Sequence, residues 1–449
     1  MSPILALGPP ADPGEEFGPT AGVQAVRDGA GPRTVADPGG GTAFNTSSDI
    51  QTLIDSNSAN TLFVTSTTGT YNNFRGIVYS QKHPRFYFVG AAAGYEINGG
   101  SVDGIGLNGT GSGANGGLEV HGGTWIAYGH PTGTNVSVFP INIGGGGGDS
   151  VIADAIFTAN NQSGLSIFIN AADSGTRATM LVTHCTLSSN GRYGMPGSST
   201  GTNDNWFYTP TLEYCIIDGN NTRGFEPGDD TGGQKFGYST GGNWRYNWYK
   251  NNEGHSCWLD GYNRNATIAE NVIENNNGLG IFYEISRGGS VIEHNYLLDN
   301  GDNTDQNYPF NATQITVSCS PCDATGASHP GPDVTSEVRY NDADASGYAT
   351  ACILYDHSGQ APSEQTRNWY VHHNRLWQRA ASGVTGRCGL ADPHNEDNIT
   401  DVAANNLFDF NEYHVADDTG AYWEADGSKT FAQFQAAGHE ANGSVVEIV

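Results

Sequence analysis

A repeat of 24 residues is the feature that most narrows the folds open to this chain. Asn247, Asn271 and Asn295 lie 24 residues apart, and an apolar or aromatic pair and then an Asn/Gly-rich turn follow each of them. The triplets WLD at 258–260 and FYE at 282–284 are separated by the same interval. A fixed period of this size is typical of a solenoid, in which each coil buries its apolar face against the next coil.

Composition favours strands over helices as the units of this repeat. Glycine accounts for 63 of the 449 residues, and Asn, Ser and Thr are abundant. Gly and Asn tolerate the positive φ angles that tight turns require. We therefore expect many short strands joined by tight turns, around one core that grows lengthwise as coils are added.

The charge balance excludes some partners. Asp and Glu number 47 against 19 Lys and Arg, which gives a net charge of −28. Nucleic acids and anionic membranes both need a basic surface, so neither is expected as a partner. No apolar run reaches the length of about 18 residues that a membrane-spanning helix needs, so no membrane insertion is expected. The first residues lack the basic and apolar regions of a signal peptide, although we expect a secreted or cell-surface protein.

The ends of the chain differ from the repeat between them. Residues 1–44 are rich in Pro and Gly and predict an extended lead-in. A capping residue, Asp49, precedes a short helix that is predicted to cover the N-terminal end of the core, and 430–443 predicts a C-terminal capping helix. These signals predict one β-helix domain over 45–440, followed by a tail at 441–449.

The recurring asparagines and two of the cysteines have structural interpretations. Stacked Asn side chains can bond to one another along the coil axis, and the pattern returns at Asn341, Asn374 and Asn406. Cys185 and Cys215 occupy equivalent positions 30 residues apart. Stacking would place them within disulfide range, but two buried thiols in an apolar column fit equally well.

One part of the repeat resembles a known superfamily. The run GGQKF…NWYKNNEGHSCWLD…IAENVIENNNGLGIFYEIS, within 232–301, is similar to a bacterial group of pectate-lyase-like β-helix proteins. The resemblance covers 45–440 and implies an all-β fold, a single-stranded right-handed parallel β-helix with short helical caps. The superfamily includes polysaccharide lyases, glycoside hydrolases, uronate epimerases and phage tailspikes, so it implies a polysaccharide as partner.

A column of charged side chains is the candidate catalytic site. Side chains alternate between the two faces of a strand, so Asp260 and Glu284 are expected on one face, one directly above the other. Lys235 lies one coil before Asp260, and Ser318 and Asp356 end triplets that predict later members of the column. Lys235, Asp260 and Glu284 are the predicted catalytic residues.

Three chemical interpretations of this column stay open, and we favour the first. In a polysaccharide lyase, Lys235 would abstract a proton from a uronate sugar whose carboxylate Ca²⁺ neutralises. The predicted calcium ligands are carboxylates, namely Asp229, Asp230, Asp260 and Glu284. In a glycoside hydrolase, Asp260 and Glu284 would act as nucleophile and acid/base. An epimerase would abstract the same proton and return one from the other face.

Non-catalytic interpretations compete with all three. Charged stacks are ordinary on solenoid surfaces, so the column could be a salt-bridge ladder. The chain could also be a glycan-binding adhesin or a tailspike-like module, either a monomer or a trimer.

Side chains near the column predict how a sugar would be bound. Trp258, Tyr262 and Tyr283 are aromatic residues on which sugar rings could stack. Arg287 could bind a sugar carboxylate through two parallel hydrogen bonds, or it could neutralise Glu284. Asp356 completes the predicted substrate-binding set.

Overall fold

The computed structural model describes most of the repeat region and both of its flanks. The described residues are 20–71, 76–79, 82–90, 95–98, 105–108, 118–126, 141–144, 149–169, 178–199, 208–226, 231–301, 313–320, 335–345, 350–355, 366–379, 388–391, 405–425 and 427–448. They form two compact units, one within Gly29–Trp248 and one that combines residues from Tyr249 onward with the described residues before Gly29.

Each unit is built of coils that contribute one strand to each of three sheets. Within a unit, each strand pairs in parallel with the equivalent strand of the next coil, for example Ile268 with Ile292, and Ile273 with Leu297. A connection between parallel strands of one sheet is right-handed in almost all proteins. The fold is a right-handed parallel β-helix, as the sequence predicts.

The unit within Gly29–Trp248 contains the earlier coils. Sheet 1 consists of Thr42–Ala43, Leu62–Thr65, Arg85–Phe88, Glu119–His121, Ser150–Ala153, Ala178–Thr183, Tyr208–Glu213 and Asn243–Arg245. Sheet 2 consists of Gly69–Tyr71, Tyr95–Asn98, Thr124–Ile126, Ile156–Thr158, Thr186–Ser188 and Ile216–Asp218. Sheet 3 consists of Gly76–Tyr79, Ile105–Asn108, Ile141–Gly144, Leu165–Ile169, Tyr193–Ser199 and Gly232–Phe236. One further strand, Trp248–Lys250, spans the boundary between the units.

The second unit contains the later coils. Sheet 1 consists of Thr267–Ala269, Val291–Glu293, Ser336–Arg339, Trp369–His372 and Leu407–Asp409. Sheet 2 consists of Val272–Glu274, Tyr296–Leu298, Asp342–Ala345, Arg375–Gln378, Glu412–Val415 and Ser444–Glu447. Sheet 3 consists of His255–Asp260, Ile281–Glu284, Thr313–Ser318, Thr350–Tyr355, Cys388–Ala391, Trp423–Ala425 and, antiparallel to the last, Ser428–Lys429.

The core is made of apolar columns that run from coil to coil. In sheet 3, Leu259, Tyr283, Val317, Leu354 and Leu390 occupy equivalent register positions, and all five are fully buried. Since neighbours along a strand face opposite sides, the residues on either side of each member point away from the core.

Two ladders of asparagine side chains support the turns of the second unit. In one, Asn271, Asn295, Asn341 and Asn374 each donate from Nδ2 to the side chain of the next member at 2.9 Å, and Asn411 follows Asn374. The other ladder runs from Asn252 through Asn276 and Asn300 to Gln314, with steps of 2.7–2.8 Å. Because these amides also bond to main-chain atoms, they satisfy buried turn groups.

The prediction that Asn406 continues the first ladder is wrong. Asn406 accepts from the Trp369 main-chain nitrogen at 3.1 Å and donates to the Thr366 oxygen at 2.9 Å, which places it at another corner of the coil. The fifth member is Asn411.

Three helices flank the strands, and they test the predicted ends. α1 spans Ala21–Gly29 and buries Val23 and Val26, so part of the predicted extended lead-in is helical, because one face of this segment is apolar. α2, Ile50–Ser56, is capped by Asp49, and α3, Phe431–Ala436, is capped by Thr430, so both predicted helices are confirmed. No described helix is long and apolar enough to cross a membrane.

The predicted C-terminal tail contains a strand. Ser444–Glu447 pairs in parallel with Glu412–Val415, so the coil repeat extends beyond residue 440. Val445 pairs with Tyr413, and this pairing continues the inward column of sheet 2.

The cysteines settle the choice left open by the sequence. Cys185 and Cys215 are buried free thiols, and the Cys185 main-chain nitrogen donates to the Cys215 Sγ at 3.4 Å. Cys257, Cys319, Cys352 and Cys388 are buried and free as well.

Candidate functional site

Asp260 and Glu284 are direct register partners at the ends of adjacent strands of sheet 3. Neighbouring strands lie about 4.8 Å apart, so the two carboxylates extend from the same edge of the sheet. Both side chains are half-buried and point away from the core column of Leu259 and Tyr283. The predicted adjacency of the two carboxylates is confirmed, and Ser318 follows Glu284 in register as predicted.

The predicted position of Asp356 in this column is wrong. Ser318 pairs with Tyr355, one position earlier than the triplet pattern suggests. A shift of one residue moves a side chain to the opposite face of a strand, so Asp356 cannot continue the alternation. Asp356 itself lies outside the described residues.

Trp258 contacts the site from below rather than lining it. Its ring is only 4% exposed and stacks on Phe282 at 5.3 Å between ring centroids. The indole Nε1 donates a hydrogen bond to Glu284 Oε2 at 3.0 Å. With both the ring face and the nitrogen engaged, Trp258 does not offer the sugar-stacking surface that the sequence predicts for it.

His255 completes this aromatic group, and the sequence gave no reason to single it out. It is 2% exposed, and its ring meets Trp258 at 4.9 Å and Phe282 at 5.2 Å, edge to face in both cases. The Leu279 main-chain nitrogen donates to His255 Nδ1 at 3.0 Å. The histidine is therefore fixed in orientation by the neighbouring coil.

Arg287 and Tyr262 form a second group beside the carboxylates. The guanidinium carbon of Arg287 lies 4.5 Å from the centre of the Tyr262 ring, a cation–π contact. Both side chains are half-buried, and their turns are joined by main-chain bonds from Tyr262 to Ile285 at 2.6 Å and from Arg287 to Asn263 at 2.5 Å. This pair supplies a positive charge at the edge of the site, as the sequence predicts for Arg287.

Tyr283 does not face the site, so its predicted contact with substrate is wrong. It is fully buried, and its ring meets Trp369 edge to face at 5.3 Å. Its hydroxyl lies 2.7 Å from Ser290 Oγ and 2.6 Å from the Arg287 carbonyl oxygen. Tyr283 thus supports the turn that carries Arg287 instead of binding sugar.

The other predicted site residues are not brought together here. Lys235 is half-buried on Gly232–Phe236, where it pairs with Pro196 in the first unit, and its place in the column stays a prediction. Asp229 and Asp230 lie outside the described residues.

The calcium prediction finds only partial support in the donor set. Ca²⁺ takes six to eight oxygen ligands, of which Asp260 and Glu284 would supply a minority. Within the described ranges, no group of three or more His, Cys, Asp or Glu side chains could hold a metal ion.

The fold and the site together define a class, a parallel β-helix protein with a carboxylate pair on its outer face. No protein-family model matches the sequence, and no curated protein matches it significantly. Among solved structures, a mutant of the periplasmic alginate epimerase AlgG is similar at a TM-score of 0.43 and 10% identity, over 90% of this chain and 82% of that chain. A likeness at this level says nothing about the activity of this protein, and the fold assignment rests on the strand register.

Proposed function

We propose that the protein is a carbohydrate-active enzyme that hydrolyses a polysaccharide at Asp260 and Glu284. The register pairing of these two residues carries the proposal, because it fixes two partly exposed carboxylates on adjacent strands. Retaining glycosidases use two carboxyl groups about 5–5.5 Å apart, a separation close to the spacing of neighbouring strands.

The pair would cleave a glycosidic bond in two steps. One carboxylate attacks the anomeric carbon while the other, as the acid, gives its proton to the departing glycosidic oxygen. Water then attacks the same carbon, the second group takes a proton from the water, and the bond to the first carboxylate breaks. Both groups return to their starting states.

Variants of the pair test this proposal. Wild-type protein is incubated with neutral and acidic polysaccharides, and the release of reducing ends is measured. Asp260→Asn and Glu284→Gln should each lower the rate at least about a thousandfold while the unfolding transition is kept. Glu253→Gln, at an exposed carboxylate on the same unit, is the matched control and should keep the wild-type rate. Full activity in both site variants would remove the site from consideration.

A polysaccharide lyase is the second candidate, and the Arg287–Tyr262 contact favours it. A guanidinium held over an aromatic ring suits the carboxylate of a uronate sugar, the substrate class a lyase requires. Lys235 remains the proposed base and Ca²⁺ the proposed cofactor in this case. An increase in ultraviolet absorbance from unsaturated sugar ends, lost on chelation and in Lys235→Ala, would select the lyase over the hydrolase.

A protein that only binds glycans is the outcome if neither assay shows turnover. Affinity for a polysaccharide without cleavage, in a trimeric protein, would support the adhesin or tailspike-like alternative. In every case a polysaccharide partner fits a secreted or cell-surface protein, and that localisation stays a prediction.

A further inference from the structure

The two carboxylates of the pair have different surroundings. Glu284 Oε2 accepts the indole N–H of Trp258 at 3.0 Å, whereas the indole makes this bond from the coil that carries Asp260. A hydrogen bond from a fixed N–H holds the accepting oxygen in one place and directs a lone pair at the donor. Glu284 is therefore constrained by a neighbour whose own position is fixed.

The constraint on Trp258 extends two layers into the protein. Its ring stacks on Phe282 of the next coil at 5.3 Å and meets the edge of His255 at 4.9 Å. His255 in turn accepts the Leu279 main-chain N–H at Nδ1, which leaves its ring proton on Nε2. Trp258, Leu279 and Phe282 also form one buried apolar cluster. An indole packed on all these sides cannot follow a carboxylate that moves.

We infer that Trp258 is a positioning residue that holds Glu284 as the nucleophile, which leaves Asp260 as the acid/base. This assignment rests on the proposed hydrolase. A nucleophile must keep one orientation toward the anomeric carbon, and a donor aimed at one oxygen provides it. The acid/base carries a proton in the first step and accepts one in the second. In the attack, Glu284 forms a bond to the anomeric carbon as the glycosidic C–O bond breaks, and Asp260 transfers its proton to that oxygen.

One measurement tests the hydrogen bond without any substrate. In protein with ¹⁵N-labelled tryptophan, the indole signal of Trp258 is identified by its absence in Trp258→Phe. It should shift with pH in the wild-type protein and in Asp260→Asn, and it should lose that dependence in Glu284→Gln. A Trp258 signal that does not move with pH, or that moves equally in Glu284→Gln, would overturn the inference even if the enzyme is active.

Kinetics test the role on the polysaccharide that the wild-type protein cleaves. Trp258→Phe keeps the stacked ring and removes the N–H, so kcat should fall about tenfold or more, with KM unchanged within about twofold and an altered acidic limb of the pH profile. Trp377→Phe is the matched control, since Trp377 is a buried tryptophan that stacks on His414 in sheet 2. It should keep the wild-type kcat and pH profile. An unchanged kcat and acidic limb in Trp258→Phe would contradict the positioning role.

Trapping separates the two carboxylates directly. A fluorosugar that accumulates the covalent intermediate should label the peptide that contains Glu284, and a label on Asp260 would reverse the assignment. If no polysaccharide is cleaved, the proposed function fails, while the indole titration still decides whether Trp258 holds Glu284.

Discussion

Asn411 and Glu440 form the last step of the first asparagine ladder, and in this step a carboxyl group takes the place of an amide. Asn411 Nδ2 donates to Glu440 Oε1 at 2.6 Å, and the Tyr413 hydroxyl donates to the same oxygen at 2.7 Å. Glu440 is fully buried. A ladder of neutral side chains therefore ends on a group that can gain or lose a charge.

This position makes stability depend on pH. Burial raises the pKa of Glu440 to about 7 from its usual 4.5, although hydrogen bonds from Asn411 and Tyr413 oppose the rise. Between those two values the folded protein keeps a proton that the unfolded chain has lost, so the free energy of unfolding falls as pH rises through this interval. The full loss is on the order of 3 kcal/mol above pH 7.

Glu440→Gln tests this dependence, because an amide cannot ionise. The variant should show a flatter profile of unfolding free energy between pH 5 and pH 8, measured by chemical denaturation at several pH values. Glu447→Gln, at an exposed carboxylate on the last strand of the same region, is the control and should keep the wild-type slope. A wild-type slope in Glu440→Gln would show that another group is responsible.

Asn295 is the ladder member whose removal should cost most among simple substitutions. It accepts from both the main-chain nitrogen and Nδ2 of Asn271, and its own Nδ2 donates to Asn341 and to the Ile268 oxygen. Asn295→Ala leaves these buried groups without partners, so the free energy of unfolding should fall by about 3 kcal/mol or more.

The matched control for this change is an asparagine at the surface. Asn277 donates to Glu253 Oε2 at 2.7 Å in an exposed contact, so Asn277→Ala should cost no more than about 0.5 kcal/mol. Equal losses in Asn295→Ala and Asn277→Ala, measured by urea unfolding, would argue against a structural role for the ladder.

The buried cysteines should resist labelling in the native protein. Cys185 and Cys215 are inaccessible, and burial raises the pKa of the Cys215 thiol well above its usual value, which further slows reaction of the thiolate. Peptide mapping after treatment with a thiol reagent should find both cysteines modified only in urea. Labelling of either one in the native protein, or a mass that indicates a disulfide between them, would contradict the structure.

The sequence predicts the repeat well where coils have equal length. The 24-residue interval between 258–260 and 282–284 contains no insertion, so the pairing of Asp260 with Glu284 follows from counting. Strand register allows no other arrangement once one pair is aligned.

Insertions between coils explain the two errors of position. The segment between Ser318 and Tyr355 is longer than a coil, and counting cannot fix its register to one residue, so Asp356 was placed where Tyr355 lies. Asn406 was chosen over Asn411 for the same reason, because both asparagines follow an insertion and precede apolar residues.

Burial on the outer face could not be predicted from alternation. Trp258 shares a face with Asp260, yet Leu279, Phe282 and His255 from neighbouring positions bury it. Alternation did place Tyr283 with Leu259 in the core, and the sugar-binding role assigned to it conflicts with that placement. Packing between coils depends on contacts that no single strand reveals.

Tyr283 links the core to the charged edge of the site, and removal of its hydroxyl should affect both. Its oxygen lies 2.7 Å from Ser290 Oγ and donates to the Arg287 carbonyl oxygen at 2.6 Å. Tyr283→Phe should lower the free energy of unfolding by about 1–3 kcal/mol, because buried acceptors lose their partner, and it should weaken binding of acidic more than neutral polysaccharides. Tyr340→Phe is the control, since that half-buried ring stacks between His294 and His373 and should tolerate the change. Equal effects of the two variants on unfolding and on glycan binding would show that the Tyr283 hydroxyl does not support Arg287.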